Sequence, residues 1–170
     1  MDITELILHD HDEQRRMFAI LDEIDPADDR KLAAVWQRLA ILLEVHADAE
    51  EELFYPRLLD VGHGAGGEKS ASSETKDAVH DHNEIRDAVH EAAKHKTGSD
   101  AWWQAVVAAR KANSTHIAEE ERGALADFRH NAALQARHDL GVQFAAFEAE
   151  HAGGIRSEDK DPNAYIAQNR

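Results

Sequence analysis

The sequence predicts an all-α fold, an up-down-up-down four-helix bundle with an additional short C-terminal helix. Three observations predict it. Apolar residues recur at helical spacing over several long segments. Only three prolines occur in 170 residues, and Ala, Leu, Glu and Arg are plentiful, which favours helix over strand. The stretches between the periodic segments are short, as between antiparallel helical neighbours. A chain of this length builds one domain with a real core and little more.

Taken in order, Asp2 caps the first helix, with Glu5 three residues on as its capping-box partner. Ile3, Ile7, Phe18 and Leu21 form the buried stripe. His11 falls on that stripe. His9, about 200° round the helix, lies with Asp2, Glu13 and Arg16 and faces water. The helix stops near Asp25-Pro26, since proline disfavours helix in the residue before it. Asp28 or Asp29 caps the second helix, whose stripe runs Leu32, Val35, Trp36, Leu39, Leu42, Leu43, His46, Glu50 and Leu53. Pro56 bends or loosens this helix around Phe54-Tyr55. Val61-Gly-His-Gly-Ala-Gly-Gly67 is a flexible loop with His63 in solvent.

A third helix begins near Ser72 or Ser73 and aligns Ala78, His82, Ile85 and Val89 on one face, with His80 on the outside beside Lys76, Glu84 and Asp87. Gly98 is its C-terminal cap. Ser99 caps a fourth helix that aligns Val106, Ala109, Asn113, His116, Glu120 and Gly123. A last amphipathic segment, Ala132 to His151, carries Leu134, Leu140, Phe144 and Phe147. The bundle with this helix occupies residues 1–151. Residues 152–170 form a charged tail that is expected to fray.

Composition excludes several functions. Without cysteine there are no disulfides, thiolate zinc sites or iron–sulfur clusters, which fits a reducing cytoplasm. No apolar run approaches the ~20 residues of a membrane span. Met1-Asp-Ile-Thr-Glu5 lacks the basic flank of a signal peptide. A cytoplasmic chain is therefore expected, with no membrane contact. Acidic residues outnumber basic ones by 34 to 19, a formal charge of −15, which argues against nucleic acid and anionic lipid as partners. No obligatory protein partner is evident.

The residues that carry chemistry are the twelve histidines and their spacing. His46-Ala-Asp-Ala-Glu50 and His116-Ile-Ala-Glu-Glu120 each set an imidazole and a carboxylate four residues apart, one turn above the other on a single helix face. Leu8-His-Asp-His11-Asp-Glu-Gln-Arg15 precedes the first, and Val79-His-Asp-His82-Asn-Glu-Ile-Arg86 precedes the second. The order HDH, then HxxxE, thus occurs twice, an internal repeat of the polar residues. His11, His46, Glu50, His82, His116 and Glu120 all face inward from four helices. One histidine on an apolar face is ordinarily a satisfied core residue. Six inward polar groups in duplicated order would each cost ~1–3 kcal/mol if unpaired, and metal binding removes that cost.

Imidazole and carboxylate without thiolate suit iron, manganese, zinc or copper. A single zinc takes four ligands; six suit two metals bridged by the two glutamates. Other motifs are weak. His90-Glu91-Ala-Ala-Lys-His95 has its histidines one residue too far apart for a metalloprotease helix. Glu148-Ala-Glu-His151 is the lone Glu-x-x-His, where a ferritin-like site needs two.

These stretches resemble the four helix signatures of the hemerythrin-like (HHE cation-binding) family: Leu8-His-Asp-His11, His46-Ala-Asp-Ala-Glu-Glu-Glu-Leu-Phe-Tyr-Pro56, Val79-His-Asp-His82 and His116-Ile-Ala-Glu-Glu120. The match covers residues 1 to about 125 and looks most like the bacterial, actinobacterial, single-domain members. The resemblance implies two non-haem iron ions per chain, oxo- or hydroxo-bridged, with His11, His46, His82 and His116 as ligands and Glu50 and Glu120 as bridges. It departs from the oxygen carriers at one point. Those have two histidines four apart on the third helix, whereas here Ala78 and Arg86 flank His82 at that spacing.

One iron therefore lacks an imidazole. Tyr55 and Glu51 are candidate additional metal ligands, although Tyr55 lies about 140° from Glu50 on an undistorted helix. Arg15, Arg86, Gln14 and Asn113, one turn from the ligands, are candidates to support them. The activity implied is that of a catalase-like oxidoreductase converting hydrogen peroxide to water and dioxygen in oxidative-stress defence. A dioxygen or nitric oxide carrier or sensor is the alternative, and iron handling a third.

Overall fold

The computed structural model of the chain describes residues 1–67 and 70–170. The fold is all-α. Its helices are α1 (Ile3–Glu23), α2 (Asp29–Ala49), a π-helical turn (Glu50–Phe54), α3 (Tyr55–Val61), α4 (Ala71–Ala93), α5 (Asp100–Arg122), α6 (Ala124–Asn131), α7 (Leu134–Glu150) and α8 (Pro162–Gln168). α1, α2, α4 and α5 are the four long helices of the bundle, and none of the described helices is long and apolar enough to cross a membrane.

The ends of these helices follow from local chemistry. Asp2, Asp28 and Ser99 each accept a backbone N–H from the first turn of the helix they precede, so orphan donors are satisfied. α4 starts slightly before the expected point, at Ala71, because Ser70 is the cap and accepts from Ser73. It also ends earlier, at Ala93. Gly98, at φ +80°, belongs to the turn that leads into Ser99 rather than to the helix end.

Pro56 does loosen the second helix. It has no N–H to give, and the preceding turn widens to the π form, with Tyr55 N–H bonded to Glu50 C=O. Gly123 separates α5 from α6, a helix that the apolar pattern alone does not announce.

Apolar burial is split into two clusters. One, around Ile3, Ile7, Phe54, Leu58, Val79, Phe128 and Phe144, gathers α1, α3, α4, α6 and α7 at one end. The other, around Phe18, Leu21, Leu32, Trp36, Leu39, Ile85, Trp102 and Val106, fills the opposite end of the bundle. Burying each such side chain contributes about 1.5–3 kcal/mol.

α7 packs along α1, and Gly141 permits the approach. A Cβ there would sit 3.1 Å from Ile3 N and from Met1 O. Residues 152–170 are not a frayed tail. They return across the bundle and end in α8, which packs on α4 and buries Tyr165.

Candidate metal centre

Among the buried residues is a polar layer: His11, His46, Glu50, His82, His116 and Glu120, each no more than 4% exposed. The six inward residues read from the sequence are thus brought together, and His9 and His80 point to solvent. The carboxylates join two pairs of imidazoles. Glu50 Oε1 lies 3.1 Å from His46 Nε2, and Glu50 Oε2 lies 3.3 Å from His82 Nε2 and 3.8 Å from His116 Nε2. Glu120 Oε2 lies 3.2 Å from His11 Nε2 and 4.0 Å from His116 Nε2. His82 Nε2 and His116 Nε2 face each other at 3.1 Å.

Three overlapping triads each bring one donor atom per residue within 4.8 Å of the others: His11–His116–Glu120, His11–His46–Glu50 and Glu50–His82–His116. Inside this cluster His11 Nε2, His46 Nε2, both Glu50 oxygens and Glu120 Oε2 are buried without a hydrogen-bond partner. Orphaned donors and acceptors that point at one another are what a metal cluster would satisfy. Imidazole and carboxylate without thiolate fit iron, and Glu50 and Glu120 each reach both imidazole pairs, as a bridge must.

The outward nitrogens are held by a duplicated scaffold. His11 Nδ1 lies 3.1 Å from Glu121, which takes Arg15 at 2.7 Å. His82 Nδ1 lies 2.7 Å from Glu51, which takes Arg86 at 2.9 Å. In each repeat the histidine that ends HDH is thus braced by the glutamate after the other repeat's bridging position, and the arginine four residues on braces that glutamate. The aspartate inside HDH serves the same repeat's other histidine. Asp10 lies 3.0 Å from His46 Nδ1, and Asp81 lies 3.9 Å from His116 Nδ1.

Neither aspartate was singled out from the sequence, nor was Glu121. The signal was present, because these residues repeat with the histidines. Glu51 is turned to the outer side of His82, with its carboxylate engaged there and on Arg86 and Lys160. It does not join the inner cluster. Gln14 on α1 and Asn113 on α5, three residues from His11 and His116, are buried, and both ends of the Gln14 amide lack a hydrogen-bond partner.

The electrostatics follow from this packing. For His82, burial opposes the charged ring, but the carboxylates of Glu50 and Glu51 beside its two nitrogens outweigh it and lift the pKa to about 9. His46 is raised in the same way: burial again opposes, and Glu50 and Asp10 prevail. Burial also works against Glu51, yet His82, Arg86 and Lys160 hold it down to about 2. Glu148 of α7 meets Asp10, and burial together with that hydrogen bond pushes Glu148 up to about 8. His46 and His82 thus hold their protons more tightly than free imidazoles, and a metal would displace them.

The Tyr55 hydroxyl donates to Glu120 Oε1 at 2.5 Å and is fully buried. The π-helical turn brings Tyr55 round to that oxygen. Beside it a cavity of about 350 Å³ opens to solvent, lined by Ala78, His116, Glu120 and Tyr55 at its inner end. Glu74, Asp77, Asp81, Glu119 and Arg122 line the rest, with Gly123, Ala124 and the loop of Ala65 to Gly67. Ala78, four residues before His82, therefore lines the cavity. The first pair of imidazoles is closed instead: Phe144 of α7 covers His46 edge-on, with ring centroids 6.0 Å apart.

No curated protein and no solved structure matches the chain. The Hemerythrin HHE cation binding domain matches residues 2–127, which span α1 to α6 and the whole polar layer. With that match and this layer together, the chain belongs to the hemerythrin HHE family and is a metal-binding protein.

Proposed function

We propose that the chain is a non-haem di-iron protein that disproportionates hydrogen peroxide, two molecules giving two of water and one of dioxygen. His11, His46, His82 and His116 would hold the two ions, with Glu50 and Glu120 shared between them. When bound, the ions would supply Lewis acidity and a store of two electrons. The observation that carries the reading toward peroxide is the cavity at Ala78. It reaches His116, Glu120 and Tyr55, and Ala78 in its wall is, with Arg86, one of the two positions four residues from His82 where an oxygen carrier of the family could place its further imidazole.

The side chains there suit a small neutral substrate. Burial, then Glu120 and Glu50, keep the Tyr55 pKa well above the ordinary phenol value, so the group stays an O–H donor at neutral pH. With its hydrogen on Glu120, the Tyr55 oxygen can accept a hydrogen bond from a peroxide O–H at the inner wall. Among the described lining residues, the carboxylates of Glu74, Asp77, Asp81 and Glu119 outnumber the Arg122 guanidinium, which favours a neutral molecule over an anion. The absence of cysteine leaves no thiol for peroxide to oxidise.

An oxygen electrode tests the proposal. The iron-loaded chain should evolve dioxygen from peroxide. Ala78→His, which sets a second imidazole four residues before His82, should lower the rate about ten-fold or more, the scale on which changes around a metal act. Reversible dioxygen uptake with no oxygen evolution from peroxide would favour a carrier instead.

A further inference from the structure

Residues 157–165 lie outside the region matched to the family, yet they reach the outer side of His82. The reason starts at Pro56. In the π-helical turn each carbonyl looks to the N–H five residues on. Glu50 C=O finds Tyr55; Glu51 C=O would look to Pro56, which has none. Tyr165 of α8 fills the vacancy, donating its hydroxyl to the Glu51 carbonyl.

The same segment reaches the Glu51 side chain. Lys160 Nζ lies 2.5 Å from Glu51 Oε2, while Glu51 Oε1 takes His82 Nδ1 at 2.7 Å. Lys160 is itself pinned by its backbone: Asn83 Nδ2 donates to its carbonyl at 2.8 Å, and its N–H donates to Asn83 Oδ1 at 3.0 Å. Ser157 accepts from Arg86 Nε and donates to Asp48 at 3.0 Å, which closes the cover over the guanidinium. Glu121, the counterpart of Glu51 in the other repeat, has Arg15 but, among the described residues, no lysine.

We propose that the C-terminal segment is a clamp on Glu51 that positions His82, with Lys160 and Tyr165 as positioning residues that hold its Nε2 toward the inner cluster. The proposal rests on His82 being a ligand, as read above, but not on peroxide chemistry. An imidazole whose Nδ1–H is fixed on an oriented carboxylate keeps one ring orientation, and such outer partners change metal retention strongly.

The test uses the full-length chain loaded with ferrous iron. A chelator should extract one of two iron equivalents about ten-fold faster from Lys160→Met than from wild type, with the other equivalent unchanged. Lys160→Arg should restore the wild-type rate, and Lys31→Met, an exposed lysine elsewhere, should match wild type.

A second readout needs no metal. In proton NMR of the metal-free chain, the His82 Nδ1–H should exchange with solvent about ten-fold faster in Lys160→Met, and faster again in Tyr165→Phe. Wild-type release and wild-type exchange in Lys160→Met would overturn the clamp and leave the ligand set standing. A wild-type chain that holds no iron would overturn both.

Discussion

The two imidazole pairs are built from one repeated pattern and end in different surroundings. His11 and His46 are braced by Glu121 and Asp10, backed by α7, and covered by Phe144. His82 is braced by Glu51, while His116 has Asp81 only at 3.9 Å, and this pair is backed by the C-terminal segment and open past Ala78 to the cavity. The duplicated residues set the inner geometry of both halves. What differs is the later part of the chain, which seals one half and clamps the other. A shared pattern therefore builds the inner layer, and the unshared cover decides from which side that layer can be reached.

Glu50 reaches both halves more closely than Glu120 does, so its loss should have the largest effect. Its two oxygens face His46 on one side and His82 and His116 on the other. Burial works against its charge, but His46, His116 and His82 hold its pKa well below the ordinary range. In Glu50→Ala, metal content by elemental analysis should fall below one ion per chain. The metal-free protein should lose about 3–5 kcal/mol, the scale for removing one partner of a buried charged pair. Retention of one full equivalent would show that the two halves are independent sites.

The next effect separates the halves. Arg15 and Arg86 occupy the same place in the repeat, each on the glutamate that braces a histidine. Arg15 is half exposed, and Arg86 is fully buried against Glu51, Asp48 and Ser157. Arg86→Met should therefore cost about 3–5 kcal/mol in chemical denaturation. Arg15→Met should cost no more than about 1 kcal/mol, as an exposed pair does. Equal losses would break the comparison, because cover would then not matter.

A pH series sharpens the same point without mutation. The His82 pKa is raised in the fold from 6.5 to about 9, and that of Glu148 is raised from 4.5 to about 8. A raised pKa means that the folded chain binds the proton more tightly than the unfolded one. The stability this gives is complete below the unfolded value and is lost as pH rises through the folded value. The metal-free chain should thus lose roughly 5 °C or more in Tm between pH 6.5 and 9. The iron-loaded chain should not follow, because metal then occupies the positions that protons held, and its binding should release protons. Parallel profiles for the two forms would mean that protons and metal do not compete for the layer.

The fold and the inner layer were legible because both rest on local periodicity. The spacing that puts His46 on the buried stripe also puts Glu50 one turn further on, and the repeat then finds His116 and Glu120. Asp10, Asp81, Glu51 and Glu121 were harder to read. Each sits beside an inward residue on its own helix and acts on a histidine of another, so helical phase alone assigns it to the wrong face. The repeat of Asp10 with Asp81, and of Glu51 with Glu121, was the signal available. The C-terminal segment was not legible at all. Its charged residues look solvated, and their partners, Glu51 and Asn83, lie more than 70 residues away. The unfilled carbonyl left by Pro56 is the one local hint, and it becomes readable once the π-helical turn is known.

The smallest expected effects come from the aspartates inside HDH, where the two halves differ in distance. Asp10 lies 3.0 Å from His46 Nδ1, within hydrogen-bond range, and Asp81 lies 3.9 Å from His116 Nδ1, beyond it. Asp10→Asn keeps the shape but removes the charge that steadies the ring, so iron affinity should fall about ten-fold. Asp81→Asn should change it less, since the carboxylate does not bond to the ring in the metal-free chain. His9→Ala and His80→Ala, one residue from each aspartate but facing water, should leave metal content unchanged. If Asp81→Asn weakens iron as much as Asp10→Asn, then loading must draw His116 onto Asp81. The open half would in that case be the one that rearranges around its metal, while the half sealed by Phe144 is already set.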